Sequence, residues 1–198
     1  MHTRYYSSPT VELTWALILA SARNLMIETQ SVRSGGWQRT VGDGIRGKIL
    51  GILGLGNIGS QVARIAGAFG TDVIAWSENV QREKAQEHGA RLVSKQELFR
   101  QADILTIHLI LSSRTRGLVG KSELDLMKSS ARIVNTSRGP IVDEVALIDA
   151  LRNGQIAGAA IDVFDVEPLP RDHPLRQLDT VVTTPHIGYV SRDLYRVF

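Results

Sequence analysis

The sequence predicts an α/β protein built as a doubly wound parallel sheet. Three observations predict it. Lys48 to Leu53 is a strand-like apolar segment that runs into Gly54-Leu55-Gly56-Asn57-Ile58-Gly59, a full G-x-G-x-x-G, with a helical pattern after it. Short apolar segments then alternate with helical ones as far as Thr184, the pattern of strand–helix–strand units. Asp103 to Leu109 is nearly continuous in apolar residues, as expected of a strand covered on both faces.

Size and composition bound the problem. A chain of 198 residues is one large domain, or one domain with appendages. At 43% hydrophobic and 22% charged it can build an ordinary globular core. The net charge of +3 is small and the basic residues are scattered, so no nucleic-acid partner is expected. The absence of cysteine rules out disulfides, thiolate zinc sites and a cysteine nucleophile. It fits a reducing compartment, and a cytoplasmic location is expected. Leu13 to Ala22 resembles a signal-peptide core, but Glu12 and Thr14 interrupt it and the helical pattern continues through Met26. No apolar run approaches the ~18 residues of a membrane span, so no membrane partner is expected either.

Taken in order, residues 1–8 show no periodicity. Pro9 suits the first turn of a helix with Ser8 as its N-cap. Val11, Trp15, Ile18, Leu19, Ala22 and Leu25 give that helix, over residues 9–30, a wide apolar face. The face is expected to pack on the domain, on a sister subunit, or on both. Residues 31–47 are a glycine-rich connection in which Trp37 reads as a packing anchor. After the glycine turn, Ile58, Val62, Ile65, Ala66 and Phe69 recur at helical spacing. Asp72 to Trp76 is the second strand, and a polar helix over 80–88 ends at Gly89. Leu92-Val93 reads as a short strand, and Ser94 caps a helix reaching Arg100. Lys121 to Lys128 reads as a helix and Ala131 to Val134 as a strand. A helix starts at Asp143, with Val145, Leu147, Ile148 and Leu151 apolar, and stops at Asn153-Gly154. Ile156 to Val163 and Thr180 to Thr184 are the last strands, separated by a proline-rich loop.

The glycine turn carries the first functional reading. The first glycine permits the tight turn, the second lets backbone approach a pyrophosphate, and the third lets helix and strand pack closely. Asn57 and Ile58 open the helix, whose N-terminal N–H groups favour phosphate. Strand, turn and helix in that order make dinucleotide binding the expected role. An acid about 20 residues further on normally takes the ribose hydroxyls of NAD. Here Ser77 occupies that place, with Glu78 beside it. A serine could instead accommodate a 2′-phosphate, with Arg82 or Lys84 nearby, but Glu78 would repel it. NAD is the expected cofactor, with NADP left open.

Other candidates fall at carboxyl ends of strands, where ligands bind in open α/β sheets. They are His108, the run Thr136-Ser137-Arg138, and Asp162. His108 reads either as a cofactor contact or as a strand-end histidine held by backbone. Asp162 ends an apolar strand and would be costly to bury unpaired. A nicotinamide carboxamide would give it a donor; a salt bridge or a helix cap would serve as well. Asp162, Asp165 and Glu167 match no metal-ligand spacing, so no metal is expected.

Three motifs finish the pattern: Asn135 to Pro140, Asp162 to Pro168, and Pro185-His186-Ile187-Gly188. Singly, Arg138 reads as a loop arginine, Glu167 as a turn residue and His186 as a packed loop histidine. In this order after the glycine turn, they resemble the D-isomer-specific 2-hydroxyacid dehydrogenases across residues 9–198. The resemblance implies a Rossmann-like cofactor domain and a reactive triad. Arg138 matches the arginine that binds the substrate carboxylate and carbonyl. Glu167 matches the carboxylate that orients the histidine, and His186 the acid/base. Those residue types suit reduction of a small 2-oxo acid to a D-2-hydroxy acid. A guanidinium forks onto a carboxylate and polarises a carbonyl. An imidazole supplies or removes a proton near neutral pH.

The resemblance also implies what departs from it. Residues 1–8 match the hinge or remnant of a substrate domain, 9–188 the dinucleotide-binding domain, and 189–198 the start of a helix returning to that substrate domain. The chain then reads as truncated, with most of the substrate domain missing, and is expected to bind cofactor but turn over poorly alone. His108-Leu109-Ile110-Leu111 lacks a proline common in the family. The resemblance further implies a homodimer through helix 9–30. A dinucleotide-sensing, corepressor-like protein of the same fold is the alternative function. A methyltransferase would share only the glycine turn.

Overall fold

The computed structural model describes residues 7–196. The expectation for residues 1–8 therefore lies mostly outside the described residues, and that for 189–198 partly so. Seven strands form one parallel sheet: β1 (Ile49–Leu53), β2 (Asp72–Trp76), β3 (Arg91–Leu92), β4 (Ile104–Ile107), β5 (Arg132–Asn135), β6 (Gly158–Ile161) and β7 (Val181–Thr183). Their spatial order is β3-β2-β1-β4-β5-β6-β7. The chain winds outward from β1 through β2 to β3, then returns to the other side of β1 with β4. The reversal leaves a crevice at the carboxyl ends of β1 and β4, the usual ligand position in such sheets. Leu53 pairs with Trp76 on one side and with Ile107 on the other, so three strand ends finish level there.

Helices cover both faces: α1 (Ser8–Ala22), α2 (Leu25–Arg33), α3 (Asn57–Phe69), α4 (Arg82–Glu87), α5 (Lys95–Gln101), α6 (Lys121–Leu124), α7 (Glu144–Arg152) and α8 (Arg192–Tyr195). The period of two along the strands sorts side chains between two cores. Leu50, Ile52, Val134 and Ala160 pack with Val11, Trp15 and Ile18 of α1 and with Val62 and Ala66 of α3. Leu53, Leu105, Ile107, Ile133 and Ala159 pack with Leu98 and Phe99 of α5 and with Leu147 and Leu151 of α7. This is why the β4 segment carries apolar residues with no alternation: both of its faces are covered. Each fully buried leucine or isoleucine among these contributes roughly 1.5–3 kcal/mol.

Local signals set most boundaries. Ser94 and Glu97 form a capping box: the Ser94 hydroxyl accepts from Glu97 N at 3.2 Å, and Ser94 N donates to Glu97 Oε2 at 2.9 Å. The Asp143 carboxylate accepts from Ala146 N at 3.1 Å to open α7. Gly70 ends α3 in the left-handed conformation.

Four expectations need correction. The helix over 9–30 is two helices, because Asn24 turns left-handed at φ 51° and redirects the chain. Ser8 is the first helical residue rather than the cap; Ser7 holds the cap position, and its hydroxyl does not cap the helix but accepts from Gln61 Nε2 at 2.6 Å. Trp37 is 80% exposed, so its indole is not buried as an anchor among the described residues. Val145 is also exposed: the face of α7 that meets the core carries Leu147, Ile148 and Leu151, and position 145 lies off that face. Most of the apolar face of α1 packs on its own sheet and on α3, the first of the places expected for it.

Candidate active site

The glycine turn has the shape that its sequence requires. Gly56 caps α3 with nothing within 4 Å of the position a Cβ would take, so the backbone is open to a ligand. Gly59 is the opposite: a Cβ there would lie 2.2 Å from the Gly54 carbonyl oxygen. The turn is held on both sides, by Gly54 N donating to Trp76 O at 2.9 Å and by His108 N donating to Leu53 O at 2.8 Å. Asn57 is exposed, with its side-chain amide directed at the Ser7 hydroxyl at 3.3 Å. Ser77 sits just past the end of β2.

A cavity of about 710 Å³ opens at the carboxyl edge, next to this turn. Ile58, His108, Thr136, Ser137, Arg138, Asp162 and His186 all line it. Gly54, Gly56, Asn57, Gly59 and Ser77 do not line that cavity; they belong to the turn and strand end beside it. The three motifs far apart in sequence are therefore brought to one place.

His186 and Glu167 form a pair, with His186 Nδ1 2.7 Å from Glu167 Oε2. The other carboxylate oxygen, Oε1, accepts from Phe164 N at 2.9 Å, which fixes the glutamate from behind. Partial burial pushes the Glu167 carboxyl up. The His186 and Phe164 hydrogen bonds, with the nearby charges of His186 and Arg138, outweigh this and hold it below the usual glutamate range. Arg138 is exposed to the cavity and spends one N–H on the Ser137 carbonyl at 2.6 Å. Its remaining donors are available to an anion.

His186 itself has φ 55°, a conformation rare outside glycine and asparagine. Asp162 explains how it is held. Its carboxylate accepts from Thr184 Oγ1 at 2.6 Å, Ile187 N at 2.8 Å and Gly188 N at 2.9 Å. Both flanks of His186 are tied to one fully buried side chain. The buried carboxylate thus has protein donors without any ligand.

His108 points its Nε2 at Thr106 Oγ1, 2.9 Å away. Part of the residue remains open to the cavity, but burial of the ring pushes its pKa down to about 3. The imidazole is neutral at physiological pH. Thr136 pairs with Thr14 of α1 through their hydroxyls at 2.8 Å, and Ser137 Oγ donates to the Leu109 carbonyl.

Sequence reading missed four neighbours. Thr10 of α1 donates to the Gly188 carbonyl at 2.9 Å and lines the cavity. Ile110 and Tyr189 line it too, and the Tyr189 ring meets that of His186 edge-on at 5.5 Å. Arg114 pairs with Glu78, at 3.5 Å, whereas Lys84 is taken by Glu87 at 3.1 Å. Tyr189 follows the histidine motif directly and could have been suspected. Thr10, 178 residues from Gly188, carried no signal.

A doubly wound sheet, a glycine turn at its crevice and an arginine–glutamate–histidine set beside it define a nucleotide-dependent oxidoreductase domain. Residues 15–188 match the D-isomer specific 2-hydroxyacid dehydrogenase family, NAD binding domain. The chain belongs to that family, and the family domain that it carries binds NAD. It is 49% identical over 193 residues to a glyoxylate reductase of Aeropyrum pernix, covering 93% of this chain and 58% of that one. It is 45% identical over 185 residues to a D-3-phosphoglycerate dehydrogenase of Methanocaldococcus jannaschii, covering 92% of this chain and 35% of the relative. The fold is similar to that of a D-lactate dehydrogenase from Aquifex aeolicus solved with NAD and lactic acid. There the TM-score is 0.89 at 28% identity, over 98% of this chain and 63% of that one. The chain thus spans between about a third and two thirds of these relatives. The open backbone at Gly56 and the tight one at Gly59 fit a bound dinucleotide.

Proposed function

We propose that the chain is the cofactor-binding part of an NAD-dependent D-2-hydroxyacid dehydrogenase, acting between small 2-oxo acids and D-2-hydroxy acids. The observation that carries this reading is that Arg138 and His186 line one cavity, with His186 backed by Glu167 at 2.7 Å. When bound, the dinucleotide supplies the hydride acceptor or donor. The turn from Gly54 to Gly59 would receive its phosphates, through the open backbone at Gly56 and the helix start at Asn57 and Ile58, with Gly54 and Gly59 shaping the turn, and Ser77 would take the adenosine ribose. His108, Thr136, Ser137 and Asp162 border its nicotinamide end.

The remaining work falls to three side chains. Arg138 forks onto the carboxylate of the acid and draws electron density from the carbonyl oxygen. His186 gives a proton to that oxygen on reduction, or removes it from the hydroxyl on oxidation. Glu167 accepts from Nδ1, so Nε2 is the nitrogen left for the exchange, and its negative charge stabilises the imidazolium. Neutral His108 adds no charge to compete with Arg138.

Residues 9–188 form the dinucleotide-binding domain in this reading, residues 1–8 adjoin a hinge, and residues 189–198 begin the return to a substrate domain. A cleft shared between two domains needs both to close. The chain alone therefore binds NADH but turns over poorly. Two tests apply: calorimetric titration with NADH, and reduction of glyoxylate or hydroxypyruvate followed by NADH absorbance. Failure to bind NADH overturns the reading. Turnover by the isolated chain at the ~1–10³ s⁻¹ usual of enzymes overturns the requirement for a second domain.

The protein is further proposed to be a cytoplasmic homodimer. No helix among the described residues is long and apolar enough to cross a membrane. Support for self-association comes from α2 and the segment after it: Leu25, Met26, Val32, Trp37 and Val41 are all exposed. The segment is rigidly mounted, with Glu28 accepting from Thr40 N at 2.7 Å and Ser31 Oγ donating to Trp37 O at 2.7 Å. Nothing observed favours the corepressor-like alternative.

A further inference from the structure

We propose that Asn135 is the positioning residue for Arg138: its buried carboxamide clamps the short loop that presents the guanidinium to the cavity. The role presupposes that Arg138 binds the carboxylate of the substrate, as in the function proposed above.

Asn135 is the last residue of β5, level with Ile107 of β4 on one side and with Ile161 of β6 on the other. It is 1% exposed and is not among the residues that line the cavity, so it acts through its neighbours. Its Oδ1 accepts from Ser137 N at 3.0 Å, and its Nδ2 donates to the Arg138 carbonyl at 3.0 Å. Its own carbonyl accepts from Asp162 N at 3.0 Å, which joins the arginine loop to the side chain that grips the His186 turn. Beyond Arg138 the chain has no slack. A Cβ on Gly139 would lie 2.1 Å from the Phe164 carbonyl carbon, and Phe164 N in turn holds Glu167 Oε1. The loop is thus fixed at its start by the sheet, in its middle by Asn135, and at its end by the segment that carries Glu167.

Hydrogen-bond polarity makes the clamp specific to asparagine. A backbone N–H can only donate and a carbonyl can only accept. A side chain that meets one of each must offer an acceptor and a donor side by side, which a carboxamide does. Aspartate would set a second oxygen against the Arg138 carbonyl, alanine would supply neither partner, and glutamine would carry the amide one methylene too far. The peptide between Ser137 and Arg138 lies between the two bonds of the clamp. Its carbonyl is the group that receives Arg138 Nη1. Asn135 therefore sets both the backbone of Arg138 and the acceptor that aims its exposed guanidinium. A fork onto a carboxylate depends on direction, and a displacement of ~1 Å is enough to cost much of it.

The test is calorimetric titration of the wild-type chain, Asn135→Ala, Asn135→Asp and Arg138→Ala with NADH, and then of each NADH complex with oxalate, at constant ionic strength. Oxalate is a dianion that mimics the adjacent carboxylate and carbonyl oxygens of a 2-oxo acid. The wild type is expected to bind it and Arg138→Ala to lose it. Asn135→Ala removes the clamp without adding charge, and Asn135→Asp keeps the shape and the acceptor. Each weakens oxalate by about tenfold, the size of one charge-assisted hydrogen bond, and leaves NADH affinity as it was. Wild-type oxalate affinity in either Asn135 variant overturns the clamp and leaves the proposed function standing. So does a loss of oxalate and NADH together in both, which marks general disruption. A wild-type chain that binds NADH but not oxalate, or an Arg138→Ala chain that binds oxalate as well as wild type, overturns the role of Arg138 in the proposed function, and the clamp with it.

Discussion

The carboxylate of Asp162 accepts the backbone N–H of Gly188 at 2.9 Å, two residues beyond the His186 imidazole. The same side chain holds Ile187 N and the Thr184 hydroxyl. It therefore sets the turn that places His186, whatever its contact with nicotinamide. Asp162→Asn leaves one oxygen to accept and turns an NH₂ towards a backbone donor. The His186–Glu167 pair should loosen. The Glu167 carboxyl, followed by ¹³C NMR, should then titrate closer to an ordinary glutamate. A folded Asp162→Asn chain with an unshifted Glu167 titration would show that the turn holds itself.

Gly56 and Gly59 should separate binding from folding. A methyl at Gly59 meets a carbonyl oxygen at 2.2 Å, so Gly59→Ala must spread the turn and lower stability. A methyl at Gly56 meets nothing in the free protein but stands where a pyrophosphate would approach. Gly56→Ala should keep the wild-type thermal midpoint and lose NADH affinity by about tenfold or more, the equivalent of ~1.4 kcal/mol. Equal NADH affinity would remove the turn from the cofactor site.

Stability should fall as the solution is acidified from about pH 6.5, the ordinary histidine value. In the unfolded chain His108 takes up a proton near that pH, whereas in the folded chain it does so only near 3. Between the two values the unfolded state binds more protons, so acid favours it, by at most ~1.4 kcal/mol per pH unit. Water in the cavity reduces the amount but not the sign. Glu167 acts in the same direction at lower pH: its depressed carboxyl adds stability above the ordinary glutamate range, lost as pH falls through the folded value. Urea unfolding of wild type and His108→Gln at pH 7.5, 6 and 5 checks this. The variant should show the shallower dependence, and parallel curves would rule the histidine out.

Wherever wild-type turnover is measurable, His186→Gln should cut kcat by roughly 10²–10⁴-fold, the range for loss of a general acid. NADH affinity should hardly change. Arg138→Lys keeps the charge but not the fork, and should raise KM for the 2-oxo acid as well as lower kcat. Wild-type kcat in either variant would contradict the assigned roles.

Trp37→Ala should weaken any self-association without lowering stability, because the indole is 80% exposed. Sedimentation at several concentrations reads this. A monomer mass at all concentrations for the wild type would dispose of the dimer.

The sequence by itself determined the sheet class and most element boundaries. Those features are written in short windows. Glycine spacing sets the turn, Ser94-x-x-Glu97 sets a cap, and apolar runs set strands that both helical layers must cover. Tertiary structure alone decided which side chains meet. Thr10 reaches Gly188, Arg114 reaches Glu78, and Asp162 grips the histidine turn, because neighbouring positions in a parallel sheet come from segments tens of residues apart. It also decided what faces water. Trp37 and Val145 look apolar enough to bury, yet burial depends on whether another surface arrives opposite them, and among the described residues both stay exposed.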